Sequence, residues 1–270
     1  MIMRTLILFS TVLICAAAAA ADLHPIVEVE SEYLFGASAN GKWIKADQAA
    51  KSLPDKMTYR VYGLTQSFGE VNARKPKPSE EDVCSDLFVV SLSPKPKKGL
   101  IALAAPWNAM PRKVQALDPT QKVYVDAVGD FLKTKGINQP KVKIDNIVRV
   151  DLDGDGEEEV LISAANYFTK ENVPMRSPAG SYSMVLLRRV VAGKVETQLV
   201  DGEFHPNAYV RKDDSFDAPN IYKLIAALDL DGDGKMEIVV NSRYYEGGST
   251  TIYRCGPKKC ESLLSVGCGL

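Results

Sequence analysis

The string Asp-Leu-Asp-Gly-Asp-Gly stands twice in this chain, at 151–156 and at 229–234, with the copies 78 positions apart. Each copy spaces three carboxylates two residues apart and supplies glycines that let the backbone curl. That pattern sets hard oxygen ligands around one point, as Ca²⁺ requires. Counting from Asp151, the side chains of Asp151, Asp153 and Asp155 take positions one, three and five, Glu157 offers its backbone carbonyl at seven, and Glu159 completes the ring at nine. The second copy supplies Asp229, Asp231, Asp233, the carbonyl of Lys235, and Glu237. A lysine is tolerable at position seven only if it ligates through its backbone oxygen and turns its side chain outward. Two Ca²⁺ sites are therefore expected. Six acidic residues fall between Asp151 and Glu159, and without a cation the inward-facing ones repel one another at close range.

These loops are not EF-hands. That loop needs a bidentate glutamate at position twelve and helices on both sides, whereas position twelve is Ile162 in one copy and Val240 in the other, and the residues that follow are β-branched runs. The metal loop is thus expected to join two strands. A dockerin-like pair fails as well, because its copies lie close together and lead into helices.

Other chemistry is thinly represented. The sequence contains no nucleophile elbow, P-loop or HExxH pattern. Its two histidines, His24 and His205, have no ligand-like spacing, which leaves little for zinc. The first reading is a non-catalytic binding protein; the alternative is a secreted hydrolase of polysaccharide or phosphoester that recruits a carboxylate such as Asp145 or Glu203 in a cleft. Tyr167, Phe168, Tyr244 and Tyr245 follow the loops, and strand alternation assigns them to packing before ligand binding.

The elements that must hold the loops are mainly β with some α. Residues 147–167 and 225–245 share nine identities in twenty-one positions, so the duplication is larger than the loop. In each copy one apolar strand enters the loop and another leaves it, and two more follow, at 182–190 and 195–200 in the first copy and at 250–254 and 261–266 in the second. The reading is two tandem four-stranded antiparallel units, 141–200 and 221–270, each patterned like a β-propeller blade. Two blades do not close a ring, so a smaller open assembly is expected. Before them lie a mixed α+β region at 22–110, with a short helix at 46–53 and strands at 58–64, 87–92 and 100–104, and then a helix and connection at 111–140. That helix is expected to start with Asp118 as N-cap and Pro119 as its first residue, to show Tyr124, Val128, Phe131 and Leu132 on one face, and to stop at Gly136.

The loop, with an acidic residue two positions beyond its end and a Val/Ile-rich strand behind it, resembles the VCBS and FG-GAP repeats of secreted and surface proteins. The resemblance covers roughly 141–270. It implies Ca²⁺ held by Asp151, Asp153, Asp155, Glu159, Asp229, Asp231, Asp233 and Glu237 between the first strands of a blade.

Residues 1–21 read as a signal peptide: Arg4, an apolar run, then alanines ending at Ala21. The protein is therefore expected to be secreted or periplasmic. Ile14 stands where a lipobox wants a small residue, which argues against a lipid anchor at Cys15. The four cysteines that remain can pair in three ways. Cys255 and Cys260 flank a turn-like Gly-Pro-Lys-Lys, which favours their pairing and leaves Cys84 for Cys268. A composition of 46% hydrophobic and 25% charged residues is that of a globular chain, and a net charge of -1 gives no pull toward nucleic acid. A scaffold of this kind implies a protein or glycan partner, and no later apolar run reaches membrane-spanning length.

Overall fold

The structure is a computed structural model that describes residues 22–167, 176–210 and 217–269. Residues 1–21, read above as a signal peptide and including Cys15, and Phe168 lie outside the described residues. Within them the fold is a β-rich α+β fold of several antiparallel sheets, none of them closed. No helix among the described residues is long and apolar enough to cross a membrane.

The N-terminal part comprises β1 (His24–Glu28), β2 (Leu34–Ala39), β3 (Lys42–Lys45), α1 (Ala46–Ser52), β4 (Lys56–Tyr62), β5 (Ser67–Arg74), β6 (Lys77–Pro78), β7 (Phe88–Val89), β8 (Leu92–Ser93) and β9 (Ile101–Leu103). Seven of these strands form a first sheet in the order β3-β2-β1-β9-β4-β5-β8, and β6 pairs with β7 apart from it. The single strand expected at 87–92 is divided between β7 and β8, which join different sheets. Gly36 permits the tight start of the β2 and β3 hairpin. Its φ is 140°, and a Cβ there would lie 2.0 Å from the carbonyl oxygen of Ile44.

Then follow β10 (Gln115–Leu117), α2 (Lys122–Thr134), β11 (Ile144–Val150), β12 (Glu159–Ala165), β13 (Ser181–Val191) and β14 (Lys194–His205). They form a second sheet in the order β10-β11-β12-β13-β14, with α2 outside it. The four expected strands are joined by β10, from a segment read as connection, and β14 runs five residues further than expected, to His205. The third sheet is a plain meander of β15 (Ile221–Leu228), β16 (Glu237–Tyr244), β17 (Gly247–Cys255) and β18 (Cys260–Gly269).

Helix α2 begins later than its sequence signals suggest. The Asp118 carboxylate accepts from the Thr120 N–H at 2.8 Å and from the Thr120 hydroxyl at 2.7 Å, so it closes a local turn through Pro119 instead of capping the helix. The N-cap position falls to Gln121, which makes no side-chain cap. The stop is as expected. Gly136 has a φ of 84°, its N–H reaches the Lys133 carbonyl at 3.1 Å, and the Ile137 N–H reaches the Leu132 carbonyl at 3.1 Å, the paired bonds of a Schellman ending.

Strand alternation orders the layers. In β9, Ile101 and Leu103 face one core while Ala102, with Ala104 just past the strand, faces another. In β16, Val239 faces the core shared with the first sheet, and Ile238 and Val240 face the core shared with the second. Helix α1 covers the far side of the first sheet through Ala49 and Ala50, and α2 covers the far side of the second through Val128 and Leu132. The stack therefore runs α1, first sheet, third sheet, second sheet, α2. The last sheet in the chain is the middle layer, and a disulfide from Cys84 to Cys268 ties its final strand to the N-terminal part. A second disulfide joins Cys255 to Cys260 across the β17 and β18 hairpin. Both pairings are those expected.

Candidate metal centre

Each DLDGDG loop follows the last residue of one strand, and the strand after it begins at a glutamate. The ladder of β11 with β12 closes on the pair Val150 and Glu159, and that of β15 with β16 closes on Leu228 and Glu237. The glutamates are therefore carried by strands, while the aspartates belong to the turn between them.

The two turns bond alike. Asp151 accepts from the Gly154 N–H at 2.7 Å and the Gly156 N–H at 3.1 Å; Asp229 accepts from Gly232 at 2.7 Å and Gly234 at 3.1 Å. Asp155 and Asp233 each accept, at 2.8 Å, from the N–H two residues on, at Glu157 and Lys235. Glu159 accepts from the Leu152 N–H at 2.8 Å and Glu237 from the Leu230 N–H at 2.9 Å. The glycines at 154, 156, 232 and 234 have φ between 77° and 92°, where a side chain is strained.

The carboxylates gather as triads. Asp151, Asp153 and Glu159 bring one oxygen each within 4.8 Å of one another, and Asp229, Asp231 and Glu237 do the same. Asp155 and Asp233 are not in these triads; their carboxylates are engaged by the backbone of the turn. Burial pushes the Glu159 carboxyl up, against the Leu152 N–H and helped by Asp153 and Asp155. Asp229 is likewise raised by burial, with its two glycine N–H donors pulling the other way. Burial raises Glu237 to about 7, although Arg254 and the Leu230 N–H oppose it. These carboxylates occupy sites where a negative charge costs free energy unless a cation accompanies it. An all-oxygen set of this kind suits a hard divalent ion, and the residues present fit Ca²⁺. At 229–237 a cation is already there: the Arg254 guanidinium sits against Asp231 and Glu237.

The loops also touch each other and a third segment. The Met236 N–H donates to the Leu152 carbonyl at 2.7 Å. The chain leaving the first sheet passes along both loops. The Ala109 carbonyl accepts from the Asp229 N–H at 2.7 Å, the Trp107 indole N–H donates to the Asp229 carbonyl at 2.9 Å, and the indole ring lies against Gly232, where a Cβ would meet it at 3.2 Å. Arg112 donates to the carbonyls of Asp151, Leu152 and Gly234, the latter two at 3.0 and 2.7 Å. Trp107, Arg112 and Arg254 carry no motif of their own. Only the alternation of β17, which sets Arg254 across from Glu237, could have pointed to one of them.

Away from the loops, Glu203 accepts from the Tyr167 hydroxyl, from His205 Nε2 at 3.3 Å and from the Asn220 N–H at 2.6 Å. Tyr167 is buried in this network, in keeping with a packing role. Asp145 stands exposed at the bulge of β11, near Lys143 and Lys223. Among the described residues, Glu81 also lies with Cys84 and Cys268, but those cysteines are spent in the disulfide.

No family model, curated protein or solved structure matches the chain.

Proposed function

We propose that this is an exported, non-catalytic calcium-binding protein, similar to the VCBS and FG-GAP repeats, whose Ca²⁺ loops brace blade-like β units that present a surface to a protein or glycan. One observation carries this reading: two separate DLDGDG turns have the same hydrogen bonds and gather matching carboxylate triads, each with a buried glutamate. A hairpin turn that only needed solvating would leave its acids outside. Here Glu159 and Glu237 are buried, where a bound cation offsets the cost of their charge. A Ca²⁺ ion would join strand, turn and the 107–112 segment into one rigid edge.

An ion that binds the native state alone raises its apparent stability. The melting temperature of the mature protein is expected to rise with Ca²⁺ and fall with excess chelator. An unchanged melt, with no heat of Ca²⁺ binding by calorimetry, would overturn the assignment. Glu159→Ala is expected to weaken Ca²⁺ binding at 151–159, read by the same titration.

A further inference from the structure

Resting on the calcium reading, we infer that the two loops are unequal: Arg254 is a resident counter-ion that fills the 229–237 loop, and Ca²⁺ is taken at 151–159. The guanidinium places Nη2 2.9 Å from Asp231 and 3.4 Å from Asp233, and bonds Glu237 through Nη2 and, at 3.0 Å, through Nε. Asp231 and Glu237, two members of the triad, have side chains only 1% exposed. The ring of Trp43 lies beneath the guanidinium at 5.8 Å, a cation–π contact that helps hold it there. A guanidinium keeps its charge at every accessible pH and is tethered beside the loop. Ca²⁺ can enter only by expelling it.

The first loop has the same architecture without the plug. Its counterpart to Arg254 is Arg189, because Val160 pairs with Arg188 just as Ile238 pairs with Tyr253. Arg189 stands near enough for its charge to be felt at Glu159, but its guanidinium donates to the Cys255 carbonyl at 3.1 Å. Arg112 reaches Asp151 only at 4.0 Å and spends its donors on backbone carbonyls. Among the described residues no basic side chain forms an ion pair with Asp153, Asp155 or Glu159. The duplication has thus diverged into one loop with a built-in cation and one that still requires a cation from solution.

Native mass spectrometry of the mature protein in Ca²⁺ reads the number of ions. The wild type is expected to hold one, with a second site roughly 100-fold weaker or more, since a buried ion pair must be broken first. Arg254→Gln is expected to hold two, and Arg254→Lys, which keeps a charge, one. Glu159→Gln in the wild-type background is expected to hold none at the same concentration. Tb³⁺ supplies a second readout, because Trp107 packs on the 229–237 loop and Trp43 on the Arg254 that plugs it. Tryptophan-sensitised emission should be weak in the wild type and rise in Arg254→Gln. Two ions of similar affinity in the wild type, or one ion that survives Glu159→Gln, overturns the inference while leaving calcium binding intact. No ion in the wild type or in Arg254→Gln overturns the calcium reading beneath it.

Discussion

Glu203 shows how a single half-buried acid is held by its neighbours. Burial by itself would raise its carboxyl, yet the hydrogen bonds from His205, Tyr167 and the Asn220 N–H outweigh burial and hold it below the usual carboxylate range. A group lowered in the folded state contributes stability that is complete above its unfolded pKa and lost as pH falls through the folded one. The wild type is therefore expected to lose this contribution below about pH 4.3, the ordinary glutamate value. Glu203→Gln should cost about 1–3 kcal/mol at neutral pH, since it leaves buried donors poorly matched, and should flatten that acid limb in denaturant melts followed against pH. Asp118 teaches the converse. Asp, Pro and a following Gln are strong start signals for a helix, but the carboxylate was captured by Thr120 two residues away, and the helix waited until Lys122. Short-range competition for a side chain cannot be read from residue types.

At the scale of elements, the strand-loop-strand units were legible because period-2 alternation and turn glycines both report local physics. The third sheet follows that pattern strand for strand. The second sheet gained β10 because the segment after Arg112 had to cross the loops before entering α2, and an edge of the sheet lay open beside it. Arg112 is the joint of that crossing, with bonds to both loops. Arg112→Met is expected to destabilise the protein by about 1 kcal/mol or more, the net worth of hydrogen bonds to carbonyls that are only partly buried. Amide hydrogen exchange should speed up at Gly154 and Gly234 together; acceleration of one loop alone would show that Arg112 does not couple them.

For the whole molecule, the decisive fact is that chain order and spatial order differ. The last sheet to be synthesised becomes the middle layer and supplies both inner cores. The Cys84–Cys268 disulfide spans 184 residues and pins that layer to the N-terminal part, whereas Cys255–Cys260 spans 5 and closes only a hairpin. Cross-linking a longer loop restricts the unfolded chain more. Replacing Cys84 and Cys268 by serine should cost about 2–5 kcal/mol in chemical denaturation, and more than the same change at Cys255 and Cys260. Equal losses from the two pairs would show that chain restriction is not what the long disulfide contributes.

By itself the sequence determined the β-rich class, the doubled DLDGDG turns, the apolar face and the stop of α2, and the pairing of the cysteines. Each of these follows from residues near in sequence or, for the cysteines, from a small set of combinations. Only the tertiary structure decided that the third sheet lies between the other two, that Trp107 and Arg112 grip the DLDGDG loops, and that Arg254 pairs with the acids of one loop while Arg189 bonds the Cys255 carbonyl beside the other. Those outcomes depend on which partner a long side chain reaches across a packed interface. Distances between sheets set that choice, and spacing along the chain does not encode them.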